Sequence, residues 1–329
     1  MKNIFQFRDS VINEFQSFSR SFTRISAPDI AEYVDKEYGN GIYWPEPMIQ
    51  INPNYLKGHT VQELAREGIV HAECARIFKI GKPNHSRDIR LFRHQEEAIA
   101  LAKTGESYVV TTGTGSGKSL AFFIPIIDKI LKEKEIDHKP RTRAIIIYPM
   151  NALANSQLEE IEKFFADYPL DQRPFSVKRY TGQESAQERE ELALNAPDIL
   201  LTNFMMLELI MTRYEEVDLK VLEHARGLEF LVLDELHTYR GRQGADVSML
   251  VRRLRHRLHA DTLQCIGTSA TMTSTGDLTD QSMAVASFAT KLFGNTVKPS
   301  NVIFESLERI TDPSLSKTSM LPLLRSRVL

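Results

Sequence analysis

After Gly105 the sequence is punctuated by six short runs rich in β-branched and aliphatic residues: YVVT, RAIIIYP, SVKRY, DILLT, EFLVLD and LQCIGTS. Several are nearly continuous apolar runs, the pattern of strands buried on both faces. Amphipathic segments fall between them, and that alternation calls for a parallel sheet covered by helices. The fold class that follows is α/β, in three layers.

Functional residues in such sheets collect at the carboxyl ends of the strands. Here Gly113 to Ser119, Pro149 to Gln157, Thr181, Thr202, Asp234 to His237 and Ser269 to Thr271 each follow a strand run directly. Residues 1–90 contain the helical-looking VINEFQSFSRSF and the proline-interrupted IYWPEPMIQINPNY, without strand–helix alternation. This predicts a mostly helical accessory region over 1–90, with GKPNHSRD as its link, a main domain over 91–295 and a tail or linker over 296–329.

With 329 residues, 42% of them hydrophobic, the chain is long enough to bury a large core. A formal net charge of −2 provides no overall pull toward nucleic acid, so such binding would need a local surface. Two distant cysteines, Cys74 and Cys265, give neither a disulfide framework nor a zinc spacing. The N-terminus becomes charged too early for a signal peptide, and LAFFIPII is too short to span a bilayer, so a soluble, cytoplasmic protein with no membrane partner is expected.

In TTGTGSGKS, Gly113, Gly115 and Gly117 let backbone N–H groups turn toward a phosphate, and the following helix adds its positive end. Lys118 would reach the terminal phosphates and Ser119 would bind Mg²⁺. Thr112, Gly113, Thr114, Gly115, Ser116, Gly117, Lys118 and Ser119 form the candidate cradle, with ATP and Mg²⁺ as cofactors. The G-x-x-x-x-G-K-[ST] pattern is not matched at its first position, Thr112, and a plain Gly/Ser/Thr-rich turn is the alternative.

FLVLDELH is an apolar strand ending in two adjacent carboxylates. Beside a phosphate loop, Asp234 is assigned to Mg²⁺ and Glu235 to the water that attacks the γ-phosphate. The plainer reading of such a pair is a helix N-cap.

TGTGSGKS, DELH and GTSAT resemble motifs I, II and III of superfamily-two DExH helicases, LFRHQEEAI resembles the Q motif, YPMNALANSQ motif Ia and ILLTNFMMLE motif Ib. The ordered set covers residues 91–272. The resemblance implies a RecA-like ATP-binding domain in which Gln95 bonds adenine, Phe92 stacks on it, and His237 with Ser269, Ala270 and Thr271 couples nucleotide to nucleic acid. It also implies backbone-phosphate contacts from Asn151 to Gln157 and from Thr202 and Asn203. Asn151 also reads as a helix cap.

DELHTYRG and the basic helix after it narrow the resemblance to MrfA-like and Hrq-like DNA helicases, making DNA the expected partner. In that helix Arg252, Arg253, Arg255 and Arg257 lie off an apolar stripe of Val247, Leu250, Val251, Leu254 and Leu258. A DNA-binding strip and a solvated face account for them equally well. KEKEIDHKPRTR and TSTGDLTD read as surface loops.

The family's motors carry a second RecA-like domain with arginine fingers, and no such sheet or arginine motif follows Thr271. The expectation is a chain that binds Mg·ATP, hydrolyses it weakly alone, and works with a second polypeptide or oligomer. A split helicase, a truncated copy and a stand-alone subunit are the three explanations. A non-motor ATP-binding adaptor of a defence or repair complex is the competing function, and an ordinary P-loop ATPase the third.

Overall fold

The computed structural model of the chain describes residues 3–22, 25–39, 54–81, 86–113, 115–165, 168–270 and 277–309. Two compact units are present, residues 1–53 and 54–329. In the first, helices span Ile4–Ser21 and Pro28–Gly39, and neither buries a residue. Asn3 opens the first of them through a reciprocal capping box with Gln6. Most of IYWPEPMIQINPNY, and residues 82–85 of the link, lie outside the described residues.

The second unit is built on a seven-stranded sheet. Its strands are β1 (Tyr108–Thr111), β2 (Ala144–Tyr148), β3 (Val177–Tyr180), β4 (Ile199–Asn203), β5 (Phe230–Leu233), β6 (Gln264–Ser269) and β7 (Val302–Phe304). The order across the sheet is β7-β1-β6-β5-β2-β4-β3, and every pairing is parallel. Six strands match the six sequence runs. The seventh is a three-residue edge strand inside the segment 296–309, and residues 54–92 belong to the same unit, with Lys57–Thr60 paired to Arg90–Phe92.

Alternate side chains of one strand enter different cores, as a doubly covered sheet requires. Ala144, Ile146 and Tyr148 of β2 face one apolar cluster, while Ile145 and Ile147 face the other. The first face is covered by helices α1 (Arg93–Ala102), α2 (Leu120–Lys134) and α3 (Asn151–Phe164). The second is covered by α4 (Phe204–Thr212), α5 (Glu216–His224), α6 (Gly241–Arg257) and α7 (Leu278–Phe293). The result is the three-layer α/β fold expected.

Helix α2 contains a proline, Pro125, whose missing N–H would have bonded the Ala121 carbonyl. The buried Tyr108 hydroxyl of β1 donates to that carbonyl at 2.9 Å instead. Burial pushes the Tyr108 phenol well above its ordinary value, so it remains a donor. The strand that leads into the glycine-rich turn is thereby tied to the helix that leaves it.

Two segments read as surface loops contain more structure. Arg143, at the end of KEKEIDHKPRTR, is 1% exposed and bonds Asp198 at 2.9 Å and Glu133 at 3.1 Å. Asp277, in TSTGDLTD, caps α7 by accepting from the Thr279 and Asp280 amides, so the last residues of that segment are helical. A buried ion pair and a cap both use polar residues, and composition alone reads them as loop.

No helix among the described residues is long and apolar enough to cross a membrane.

Candidate nucleotide and nucleic-acid site

The turn after β1 is held from beneath. Thr112 donates its amide to the Ser269 carbonyl at 3.1 Å, and its hydroxyl meets the Ser116 hydroxyl at 2.6 Å. Gly115 and Gly117 take φ of +81° and +68°, values that side-chain-bearing residues avoid. Lys118 reaches back to the Thr112 carbonyl at 3.3 Å and stands 3.7 Å from Glu235 Oε1. Ser119 precedes α2 without a side-chain capping bond, so its hydroxyl is not committed to its own helix. Thr114 lies outside the described residues.

From α1, Gln95 accepts the Phe92 amide at 2.8 Å and donates to the Gly117 carbonyl at 2.8 Å. Gln95 thus reads the phosphate loop directly. The adjacent His94, fully buried, lies with Nε2 3.0 Å from the Ser116 carbonyl, which assigns the ring proton to Nε2. Burial lowers the His94 pKa and keeps the ring neutral. The ring of Phe92 stacks on His94 at 5.7 Å.

The acid pair sits where β5 ends. Thr268 of β6 donates to Asp234 Oδ1 and accepts the Glu235 amide at 3.2 Å. Burial raises the Asp234 pKa, the Thr268 bond opposes that shift, and the Glu235 charge adds to it. Glu235 adopts a left-handed conformation, φ 53°. Strain of this kind is tolerated where surroundings impose it. Its carboxylate is directed between Lys118 and His237, whose Nδ1 lies 3.2 Å from Oε2 but out of line for a hydrogen bond, leaving that buried oxygen without a partner. The same His237 nitrogen is 3.3 Å from the Ser269 hydroxyl. Ala270 follows at the end of β6, and its carbonyl accepts from the Thr111 hydroxyl at 3.4 Å; Thr271 lies outside the described residues.

These features fit Mg·ATP. A lysine, an uncommitted serine hydroxyl, a desolvated aspartate and an orphaned glutamate oxygen converge beside a left-handed glycine turn, and a cation offsets the cost of burying the carboxylates.

Further along the same edge, Asn203 donates to Asn151 Oδ1 at 2.6 Å and to the Thr181 carbonyl at 3.2 Å, while its own oxygen caps α4 through the Met206 amide. Asn151 does not cap α3: it is that helix's first residue, after Met150, and no side chain caps the helix there. The cleft around them, about 440 Å³, is lined by Met150, Asn151, Thr181, Asn203, Met205 and Gln243 among others, and none of its lining residues is charged. Thr202 is fully buried, its hydroxyl bonded to the Tyr180 carbonyl at 2.7 Å, so it supports this edge from below. Gln157 lines a separate cavity with Ser119 and Phe123.

Three of the four α6 arginines serve the protein. Arg252 bonds the Lys291 carbonyl, Arg255 bonds the Phe293 and Gly294 carbonyls, and Arg253 pairs with Glu208. The carbonyls at the end of α7, left without helical donors, receive the guanidinium groups of Arg252 and Arg255.

Sequence reasoning passed over Thr268, although the GTSAT segment contained it, and His94, beside the noted Gln95. Tyr55 and Glu305, which also reach the loop, stand in segments without a motif.

The comparisons with known proteins identify the family. Residues 92–278 match the DEAD/DEAH box helicase family. The chain belongs to that family. It is 31% identical over 193 residues to the uncharacterized ATP-dependent helicase YprA of Bacillus subtilis, a match over 58% of this chain and 24% of YprA. It is 32% identical over 187 residues to the ATP-dependent helicase HRQ1 of Saccharomyces cerevisiae, covering 56% of this chain and 16% of HRQ1. In fold it resembles the DUF1998 helicase MrfA crystallised with DNA, with a TM-score of 0.58 and 24% identity over 77% of this chain and 29% of MrfA. The chain therefore spans a quarter or less of these curated relatives, as one helicase domain would.

Proposed function

We propose that this chain is the ATP-binding motor domain of a superfamily-two helicase, coupling Mg·ATP binding and hydrolysis to a single strand of nucleic acid, with DNA preferred. The observation that carries the reading is the continuous line of contacts from Lys118 through Glu235 and His237 to Ser269. It joins the phosphate loop to the end of β6, on the edge where Asn151 and Asn203 also lie. The DNA preference rests on the resemblance of DELHTYRG to MrfA-like and Hrq-like helicases.

In this mechanism Gly115 to Ser119 hold the β- and γ-phosphates by backbone N–H groups, and Lys118 neutralises their charge. Ser119 and Asp234 hold Mg²⁺, which supplies charge neutralisation at the phosphates when bound. Glu235 orients the attacking water and accepts its proton, with Lys118 3.7 Å from its carboxylate, and His237 senses its state. Phe92 and Gln95 take the adenine. Asn151, Asn203 and the cleft between them contact the strand backbone, so grip is independent of sequence. Residues 54–309 form the working unit.

The test is ATP hydrolysis by the purified chain with single-stranded DNA, with single-stranded RNA and with neither, beside Glu235→Gln and Lys118→Ala. Glu235→Gln should keep Mg·ATP binding and lose turnover, and Lys118→Ala should lose binding. Turnover equal to the parent in both variants would reject the assignment. Stimulation by DNA above RNA supports the substrate preference, and nucleotide binding without any response to nucleic acid favours an adaptor.

A further inference from the structure

Two side chains outside every recognised motif close over the first glycine of the phosphate loop. The Gly113 amide donates to Glu305 Oε2 at 2.6 Å. A Cβ at residue 113 would stand 3.2 Å from both that oxygen and the Tyr55 hydroxyl. Gly113 does not adopt a positive φ, unlike Gly115 and Gly117. A side chain at 113 would press on the ends of both, and each would have to give by a few tenths of an ångström.

Glu305 directly follows β7 and is firmly placed. Leu56 donates its amide to the Ser306 carbonyl at 2.7 Å, Glu308 donates to the Asn54 carbonyl at 2.7 Å, and Tyr55 pairs with Leu307 in an antiparallel bridge. The Tyr55 ring packs on Phe92 at 5.1 Å and on His94 at 5.9 Å. Burial, and next the Glu305 charge, raise the Tyr55 pKa, so this neighbour stays neutral. Among the described residues the Glu305 carboxylate accepts its one hydrogen bond from Gly113 and forms no ion pair.

A fixed, unpaired negative charge is thus bonded to a loop whose other amides and following helix attract anions. Unit charges repel appreciably at such range, because separations within the screening length of about 10 Å at 0.1 M salt are only partly screened. We propose that Glu305 is an affinity-setting residue of the nucleotide site: its carboxylate engages the entrance amide of the phosphate loop and opposes the incoming triphosphate. Nucleotide binding and the hold of segment 305–308 on the loop then work against each other. The inference rests on the nucleotide reading above.

The test measures Mg·ATP affinity by fluorescence titration of the full chain, for the parent, Glu305→Gln, Glu305→Ala and Lys118→Ala. Glu305→Gln keeps an acceptor for Gly113 without the charge and should bind Mg·ATP about three- to tenfold tighter at low salt, the gain shrinking as salt rises. Glu305→Ala should also bind tighter. Equal or weaker binding by Glu305→Gln overturns the inference, while loss of binding in Lys118→Ala keeps the phosphate-loop reading intact. If the parent and Lys118→Ala bind alike, the phosphate-loop reading and the inference fall together. A second measurement guards against a folding defect: in the parent, saturating Mg·ATP should speed amide exchange in residues 305–308, and unchanged or slower exchange rejects the idea.

Discussion

The Thr268 hydroxyl joins the two acids of the site, donating to Asp234 and accepting the Glu235 amide at 3.2 Å. It sets the direction of one carboxylate and holds the left-handed turn of the next. Thr268→Ala should lower nucleic-acid-stimulated ATP turnover about tenfold, equivalent to ~1.4 kcal/mol, with Mg·ATP affinity changed far less. Thr268→Ser retains the hydroxyl and should recover most of the rate. Steady-state kinetics with both variants decide it; a change in affinity alone would refute the positioning role.

Tyr108 substitutes for the N–H that Pro125 lacks. Tyr108→Phe should cost about 1–2 kcal/mol by orphaning the buried Ala121 carbonyl. Pro125→Ala supplies a backbone donor, so the same Tyr108 substitution should cost less in that background. Urea unfolding of the four proteins gives the coupling energy, and simple additivity would contradict the pairing.

Arg252 and Arg255 terminate α7. Replacing both with alanine should destabilise the fold by about 1 kcal/mol per lost capping contact, while single-strand affinity in the presence of Mg·ATP stays at the parent value. A large drop in affinity with normal stability would restore the DNA-strip reading.

Glu229 and Glu133 share Arg141, which bonds both carboxylates. Burial, then the neighbouring Glu133, raises the Glu229 pKa to about 7, whereas the Glu133 pKa is lowered. Because the folded chain holds a proton on Glu229 that the unfolded chain releases near its ordinary value, stability should fall as pH rises from about 4.5 to 7. Glu229→Gln should melt about 2–4 °C above the parent at pH 8, for ~1 kcal/mol surviving solvent screening, and level with it at pH 4.5. Thermal melts at both pH values are the check, and equal melting at pH 8 would rule it out.

Five of the six longer strands were legible because each buries both faces, which writes a nearly continuous apolar run into the chain, whereas β3, at the sheet edge, exposes Lys178 and shows only alternation. β7 was not, since three residues after Lys298-Pro299-Ser300-Asn301 carry no periodicity and become a strand only by pairing with Val109 to Thr111. The phosphate loop and acid pair were legible because their chemistry lies in consecutive residues. Depth is a tertiary property, which is why Thr202 read as a surface contact although it lies beneath Tyr180, and why Arg143 read as loop although it is buried. The arginines of α6 show the same limit: Arg252 and Arg255 find carbonyls at the end of another helix and Arg253 a carboxylate on α4, which spacing alone could not reveal.

The bond between Gly113 and Glu305 spans 192 residues of sequence. At about 5–20 residues per second of synthesis, the loop emerges roughly 10–40 s before the edge strand that completes its sheet and the acid that meets its amide. Once β6 has been made and has joined the other side of β1, and until the edge strand emerges, a nascent chain carries the whole glycine–lysine turn on a strand with one open side. Any nucleotide it captures then meets no opposing carboxylate, so the newborn domain should be a tighter, more readily stabilised ligand trap than the finished one.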